Sequence, residues 1–209
     1  MTEDSPDLEQ AYSLETPDDS RKLYAQWADE YDDGFARAQR YLLPDATARI
    51  FAEAGGSGPV LDVGAGTGLC GAALVALGVE PVDATDISAE MLERAAQKDI
   101  YRDTIEADLL EGLPVPPGAY EGIVSSGTFT TGHVGPDGID PLLRVAQNGA
   151  LFALSINAKH YECAGFADKL DALGGAITDL SLVETRIYGP DAEGPHKDDI
   201  AYVALFRKA

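Results

Sequence analysis

The sequence contains little positive charge. Its 15 Lys and Arg residues stand against 36 Asp and Glu residues, which gives a formal net charge of -21 at pH 7. Proteins that bind DNA or RNA use a basic surface to displace counterions from phosphates, and anionic membranes attract basic segments. The composition therefore argues against nucleic acids and anionic membranes as partners.

Cysteine and long apolar runs are also scarce. Cys70 and Cys163 are too few for a disulfide framework and lack the spacing of zinc ligands. No apolar run approaches the roughly 18 to 20 residues that cross a bilayer. The first 20 residues contain seven acids and no Lys or Arg, unlike a secretory signal peptide. These absences predict a soluble cytoplasmic protein without a metal site, and they leave the oligomeric state open.

The most informative stretch is VLDVGAGTGLCG, residues 60–71. A short apolar run leads into Gly64, Gly66 and Gly68 and then into an apolar helical pattern, which is typical of a strand, a tight turn and a helix that bind an adenosine-containing cofactor. Asp62 precedes the first glycine by two residues. A negative charge beside the turn repels a pyrophosphate and attracts a ligand with an ammonium group. The pattern therefore predicts S-adenosylmethionine.

An NAD(P)-dependent Rossmann reductase is the alternative. Gly66, Gly68 and Gly71 also fit G-x-G-x-x-G, and Asp86 follows Gly66 by 20 residues. However, the first of these glycines lies three residues beyond Val63, the last apolar residue of the strand. None of the nine tyrosines has a lysine four residues later, as a short-chain reductase requires. A third possibility is a protein that binds S-adenosylmethionine without catalysis, or one that acts on a protein partner.

Two further acids follow predicted strands. Residues 81–95 predict a second strand that ends at Asp86 and a helix with Ser88 as its N-cap. A carboxylate at this strand tip can accept both ribose hydroxyls. Residues 104–114 predict a third short strand that ends at Ala107 and Asp108, where an acid can accept a hydrogen bond from the adenine amino group.

These three motifs, in this order, resemble the class I S-adenosylmethionine-dependent methyltransferases over roughly residues 20 to 209. The resemblance implies an α/β, Rossmann-like fold: a seven-stranded, mostly parallel sheet with helices on both faces and an antiparallel last strand. It also implies cofactor contacts, which we assign to Tyr24, Trp27, Tyr31, Asp62, Gly64, Ala65, Gly66, Gly68, Asp86, Ile87, Met91, Ala107, Asp108, Leu109 and Ser125. The fragments SGTFTTGHVGP and LLRVAQNGALFALSIN resemble the methyltransferase-like branch of the Williams-Beuren region.

The chain is predicted to form one domain, residues 20–209, after an acidic flexible tail, residues 1–19. Residues 20–54 are predicted to form an N-terminal helical cap with helices over 20–33 and 45–54. Tyr24, Trp27 and Tyr31 recur at helical spacing, which is typical either of aromatics that close over a cofactor or of an ordinary packed stripe. The remaining predictions are strands over 120–126, 150–156, 177–188 and 199–207, helices over 136–146 and 161–173, and a turn at Asn148–Gly149.

The segment after the fourth strand, SSGTFTTGHVGP over residues 125–136, bears on the substrate. It lacks the Asn/Asp-Pro-Pro-aromatic signature of enzymes that methylate exocyclic amino groups of bases, and it lacks an acidic cluster for Mg²⁺. We therefore expect metal-independent, in-line transfer of a methyl group to an oxygen or nitrogen nucleophile of a small molecule.

His133 is the candidate catalytic base, because a neutral imidazole accepts a proton near pH 7. The alternative is that His133 only hydrogen-bonds the backbone before the next helix. The loop over residues 189–198 is expected to reach the site. The residues expected to contact the substrate are Thr128, His133, Tyr161, Tyr188 and His196.

Overall fold

A computed structural model describes residues 16–28, 31, 40–192 and 194–209, and in these residues the chain forms one seven-stranded sheet with helices packed against it. The strands are β1 Val60–Val63, β2 Val82–Asp86, β3 Thr104–Glu106, β4 Tyr120–Phe129, β5 Ala146–Asn157, β6 Ile177–Arg186 and β7 Ile200–Lys208. The helices are α1 Pro17–Trp27, α2 Leu43–Glu53, α3 Leu69–Ala76, α4 Ala89–Ala96, α5 Ile139–Val145, α6 Ala158–Cys163 and α7 Phe166–Leu173.

The strand order is β3-β2-β1-β4-β5-β7-β6. Strands β1 to β5 pair in parallel, whereas β7 is antiparallel to both β5 and β6. This topology confirms the predicted fold class. The order reverses between β1 and β4, and ligands of open α/β sheets bind at such a switch point, outside the carboxyl ends of the strands.

The sheet has a hydrophobic layer on each face. Ile123 and Val124 are neighbours on β4 and belong to different buried clusters, because successive side chains of a strand point to opposite faces. On one face Phe152 stacks on Phe206 with ring centroids 4.6 Å apart. On the other face Phe51 of α2 is fully buried. Because both faces of the sheet are packed, the carboxyl ends of its parallel strands are held in fixed positions.

The first helix begins three residues earlier than predicted. Thr16 is its N-cap: the Thr16 hydroxyl accepts the Asp19 N–H at 3.2 Å, and the Asp19 carboxylate accepts the Thr16 N–H at 3.1 Å. This capping box makes residues 17–19, which we expected in the tail, the first turn of α1. Residues 1–15 of the predicted tail and residues 29, 30, 32 and 33 of the predicted helix lie outside the described residues, and the domain boundary remains a prediction.

The second half of the chain differs from prediction in three places. The predicted turn at Asn148–Gly149 is wrong, because β5 runs through it as a bulge: pairing moves from Tyr120↔Ala146 to Gly122↔Leu151, and Gly149 has φ +83°. The predicted helix over 161–173 is two helices, α6 and α7, separated by Gly165 with φ +85°. The predicted helix over 136–146 is a 3-10 helix at Pro136–Gly138 followed by α5.

The other strands and helices match their predictions to within a few residues. β4 extends to Phe129, three residues past the expected end, and β6 ends at Arg186, two residues before it. Among the described helices, none has the length and apolar composition that a bilayer span requires.

Candidate active site

The loop between β1 and α3 has the backbone conformation that glycine favours. Gly64, Gly66 and Gly68 have φ angles of +63°, +55° and +90°. A Cβ atom on Gly64 would overlap the side chain of Thr128, whereas no atom lies within 4 Å of a Cβ placed on Gly66. The Thr128 hydroxyl donates to the Val63 carbonyl at 3.0 Å. The loop is therefore packed against β4 at Gly64 and open at Gly66.

Asp86, at the tip of β2, is joined to this loop. Its Oδ2 accepts the Gly66 N–H at 2.8 Å, and its Oδ1 accepts the Ser88 N–H at 3.0 Å. Burial raises the pKa of Asp86, and the hydrogen bonds from the Ser88 and Gly66 backbones oppose that rise. An ionised carboxylate oxygen accepts more than one hydrogen bond. Both Asp86 oxygens can therefore also accept ligand hydroxyls.

A cavity of about 180 Å³ lies over the carboxyl ends of β1, β2 and β4. Its wall contains two buried hydroxyl oxygens, Thr85 Oγ1 and Ser126 Oγ, that have no hydrogen-bond partner among the described residues. Buried polar atoms without a partner call for a ligand or water. Met91 and Leu109 add an apolar surface. The wall thus combines hydroxyls, the Asp86 carboxylate and apolar side chains, which fits the mixed chemistry of S-adenosylmethionine.

Most residues expected to bind the cofactor lie in the wall of this cavity. They are Tyr24, Tyr31, Gly64, Ala65, Gly66, Asp86, Ile87, Met91, Ala107, Asp108 and Leu109. Trp27 lies instead in the wall of a second, smaller cavity. Gly68 and Ser125 lie behind the wall, and the Ser125 hydroxyl donates to the Val63 carbonyl at 2.8 Å. The structure thus brings these residues together, and their contacts with the cofactor remain predictions.

Asp62 does not line the cavity as expected but is buried beside the loop. Its Oδ2 accepts the Tyr101 hydroxyl at 2.7 Å, and its Oδ1 has no hydrogen-bond partner among the residues that the structure describes. Burial raises the pKa of Asp62 to about 6, although the hydrogen bond from Tyr101 lowers it. The Asp62 carboxyl group therefore lies on the side of the loop that faces away from the cavity. Its charge changes with pH in the mildly acidic range.

Tyr101 was missed by the sequence analysis, and the only signal that pointed to it was Gly71. A Cβ atom on Gly71 would overlap the Tyr101 phenol, and one on Gly68 would lie 3.0 Å from the same ring. Close packing against Tyr101 therefore explains why glycine occupies position 71. The G-x-G-x-x-G match over Gly66, Gly68 and Gly71 needs no pyrophosphate.

The second cavity measures about 60 Å³ and adjoins the first. Tyr24, Tyr31, Tyr41, Gly127 and His133 line both cavities, so the two share a wall. The other residues of the smaller cavity are aromatic, aliphatic or neutral and polar. They are Trp27, Leu43, Phe129, Thr130, Ser155, Asn157, Ile187 and Tyr188.

His133 lies at the junction of the two cavities. Its Nε2 is 2.8 Å from the Tyr24 hydroxyl, and its Nδ1 is 3.2 Å from the Thr131 carbonyl oxygen. Burial lowers the pKa of His133, the hydrogen bond to Thr131 raises it, and the nearby His160 lowers it further. The lowered pKa favours the neutral ring at pH 7. His133 thus makes the backbone hydrogen bond of the alternative interpretation, to the Thr131 carbonyl, and it also lines both cavities.

Two of the expected substrate residues lie outside both cavities. Tyr161 packs against Phe166 and Tyr202, with ring centroids 6.2 and 5.4 Å away, and His196 Nδ1 lies 2.9 Å from Asp199 Oδ2. Thr128 and His133 line the larger cavity, and Tyr188 lines the smaller one.

The loop over residues 189–198, expected to reach the site, contributes no described residue to either wall. It is fixed elsewhere, because the Gly189 N–H donates to the Arg40 carbonyl at 2.9 Å and the side chains of Arg40 and Asp191 form an ion pair at 2.8 Å.

Sequence comparison agrees with the site. A family model described as a methyltransferase domain matches residues 60–149. Methyltransferase-like protein 27 of Homo sapiens is 34% identical over 146 residues, which are 66% of this chain and 59% of the human protein. The chain therefore matches less than two thirds of the length of that relative.

Solved structures share the fold. The magnesium protoporphyrin IX methyltransferase of Synechocystis PCC 6803, solved with bound S-adenosylmethionine, has a TM-score of 0.67 at 19% identity and covers 94% of this chain and 99% of that one. The cyclase SpnF has a TM-score of 0.68 at 16% identity, with 93% and 97% covered. At these identities the likeness concerns the fold alone, and a cyclase shares it. The methyltransferase-domain match and the human relative, together with this fold and this site, support a class I S-adenosylmethionine-dependent methyltransferase.

Proposed function

We propose that the chain transfers a methyl group from S-adenosylmethionine to an oxygen or nitrogen atom of a small-molecule acceptor, without a metal ion. The observation that carries this proposal is the pair of adjoining cavities: the larger fits the cofactor, and the smaller, which shares five wall residues with it, fits the reacting end of an acceptor. S-adenosylmethionine supplies a methyl group on a positively charged sulfur, which is already an activated leaving group.

The residues of the larger cavity bind the cofactor and orient its methyl group. Asp86 accepts hydrogen bonds from cofactor hydroxyls, while the Gly66 and Ser88 N–H groups hold its carboxylate in place. The open side of the loop at Gly66 admits a ligand close to the backbone. Orientation alone accelerates a displacement considerably, since a fixed in-line approach removes the entropy cost of bringing two reactants together.

The residues of the smaller cavity exclude water and charge. Trp27 and Phe129 are almost fully buried there, with 2% and 1% of their surface exposed. Neither cavity contains Lys or Arg among the described wall residues. A buried carboxylate or phosphate without a cationic partner is costly. We therefore expect a neutral or cationic acceptor rather than an anionic one.

The proposal is tested by incubating the chain and S-adenosylmethionine with a panel of phenols, amines, thiols and carboxylic acids. The S-adenosylhomocysteine formed with each acceptor is measured. We expect turnover with phenols or amines and none with carboxylates. Thr130→Trp, which fills the smaller cavity, should abolish turnover and leave S-adenosylhomocysteine binding intact. A chain that binds S-adenosylhomocysteine but releases none with any acceptor of the panel would contradict a small-molecule methyltransferase and favour a binding protein.

A further inference from the structure

We propose that the Tyr24 hydroxyl, rather than His133 itself, contacts the nucleophile of the acceptor and passes its proton to Nε2 of His133. The inference rests on the proposed function, because it concerns how the acceptor loses a proton at the shared wall of the two cavities.

The hydrogen bonds of His133 fix which nitrogen is bare. A backbone carbonyl oxygen can only accept, so the Thr131 oxygen, 3.2 Å from Nδ1, requires that Nδ1 carry the proton. In the neutral ring Nε2 is then the acceptor. The Tyr24 hydroxyl, 2.8 Å from Nε2, is its donor. Both ring nitrogens therefore have a hydrogen-bond partner. Because the Tyr24 hydroxyl occupies Nε2, an acceptor contacts Tyr24 and not His133.

Tyr24 is fixed in place by its own helix. Its ring is edge-on to Trp27 at a centroid distance of 5.6 Å and contacts Tyr31 at 6.4 Å. The same aromatic cluster packs α1 against Met91 of α4, which also lines the larger cavity. The Tyr24 side chain lines both cavities. Packing of the Tyr24 ring therefore fixes its hydroxyl at the boundary between the two cavities.

The proton and electron balance is simple. A lone pair of the acceptor oxygen or nitrogen forms the new bond to the methyl carbon, and the bond between that carbon and sulfur breaks with its electron pair left on sulfur. The acceptor's proton moves to the Tyr24 oxygen as the Tyr24 proton moves to His133 Nε2. The phenol ends neutral and the imidazole ends protonated. Burial lowers the pKa of His133, so the ring returns this proton readily after turnover.

The first test does not depend on activity. ¹⁵N NMR of histidine-labelled protein with bound S-adenosylhomocysteine should show His133 with a protonated Nδ1 and a bare Nε2. Tyr24→Phe should shift the Nε2 resonance in the direction expected for a lost hydrogen bond. A protonated Nε2 in the native chain would overturn the relay.

The second test varies the acidity of the acceptor. Phenol and benzylamine are each compared with aniline, at a pH where the nucleophile of the first two is protonated and that of aniline is neutral with a free lone pair, so that no acceptor is an anion. Tyr24→Phe and His133→Gln should slow the protonated acceptors by about 100-fold or more and aniline by less than about threefold. Tyr202→Phe, which removes a hydroxyl from a half-buried tyrosine outside both cavities, is the matched control.

The outcomes separate the two proposals. If the native chain methylates none of these acceptors or the wider panel, the proposed function fails irrespective of Tyr24. If the native chain methylates them and Tyr24→Phe slows both members of a pair equally, or neither, the relay is wrong while the proposed function stands. A merely structural role for Tyr24 would not distinguish acceptors by their protonation.

Discussion

Asp86 and Gly66 are joined by a hydrogen bond of 2.8 Å between the carboxylate Oδ2 and the backbone N–H. The bond links the tip of β2 to the open part of the glycine loop, so the two motifs that the sequence places 20 residues apart form one surface. The carboxylate is held before a ligand arrives, and this reduces the cost of ordering it on binding.

The first prediction concerns this carboxylate. Asp86→Ala should weaken S-adenosylhomocysteine binding by about 1 to 3 kcal/mol, because charge-assisted hydrogen bonds to ligand hydroxyls are lost. Titration calorimetry measures the change. Glu106→Gln, which removes an exposed carboxylate two strands from the loop and outside both cavities, is the control. Equal affinities for the native and Asp86→Ala chains would refute the role given to Asp86.

The second prediction separates two glycines of one loop. Gly64→Ala should destabilise the fold strongly, because the new methyl overlaps the Thr128 side chain and φ is +63°. Gly66→Ala meets no atom, so its stability cost should be only about 1 to 2 kcal/mol from the left-handed backbone. The Gly66 variant should instead lose cofactor affinity.

Urea denaturation and calorimetry on both variants provide the comparison. Thr128→Ala should partly restore the stability of the Gly64 variant and not that of the Gly66 variant. A Gly66→Ala chain with native affinity for S-adenosylhomocysteine would show that the open side of the loop is not where the cofactor lies.

The third prediction follows from the buried carboxyl of Asp62. Its pKa in the folded chain is about 6, above the ordinary value of 3.8. Because the folded-state pKa is the higher one, the folded state binds this proton more tightly than the unfolded state does. The stabilisation from Asp62 is therefore complete below about 3.8 and is lost as the pH rises through about 6.

Asp62→Asn should remove this dependence. The difference in unfolding free energy between the native and Asp62→Asn chains should change by roughly 3 kcal/mol between the two ends of that range, with the native chain relatively less stable at the higher pH. Urea denaturation of both chains across the range measures it. A difference that does not vary with pH would contradict the burial of a titrating carboxyl group.

The fourth prediction tests the partner of Asp62. Tyr101→Phe removes the hydroxyl that donates to Asp62 at 2.7 Å and leaves an ionised, buried carboxylate with one hydrogen bond fewer. The loss of stability should be about 1 to 3 kcal/mol at neutral pH and smaller below pH 4, where the carboxyl group is neutral. Tyr202→Phe is again the control. Equal losses at both pH values would mean that the contribution of the Tyr101 hydroxyl does not depend on the charge of Asp62.

The parts of the site that were predictable share one property: they lie at strand ends marked by a local pattern. Gly64, Gly66 and Asp86 follow apolar runs, so strand periodicity places them at one edge of a parallel sheet. The N-cap at Ser88 was equally predictable, because the Ser88 hydroxyl accepts a hydrogen bond from the Met91 N–H in the first turn of the same helix.

The parts that were missed depend on contacts between distant segments. Tyr101 reaches Asp62 across 39 residues, and Tyr24 reaches His133 across 109. No local spacing encodes such pairs. The bulge in β5 was missed because an Asn-Gly pair favours both turns and bulges, and only pairing with β4 decides between them.

The central claim is that the surface formed by Asp86 and the glycine loop binds S-adenosylmethionine, and calorimetric titration of the native chain with S-adenosylhomocysteine and separately with NAD tests it most directly. The account predicts saturable binding of S-adenosylhomocysteine that Asp86→Ala weakens, and no measurable heat with NAD. Tight binding of NAD with no binding of S-adenosylhomocysteine would contradict it.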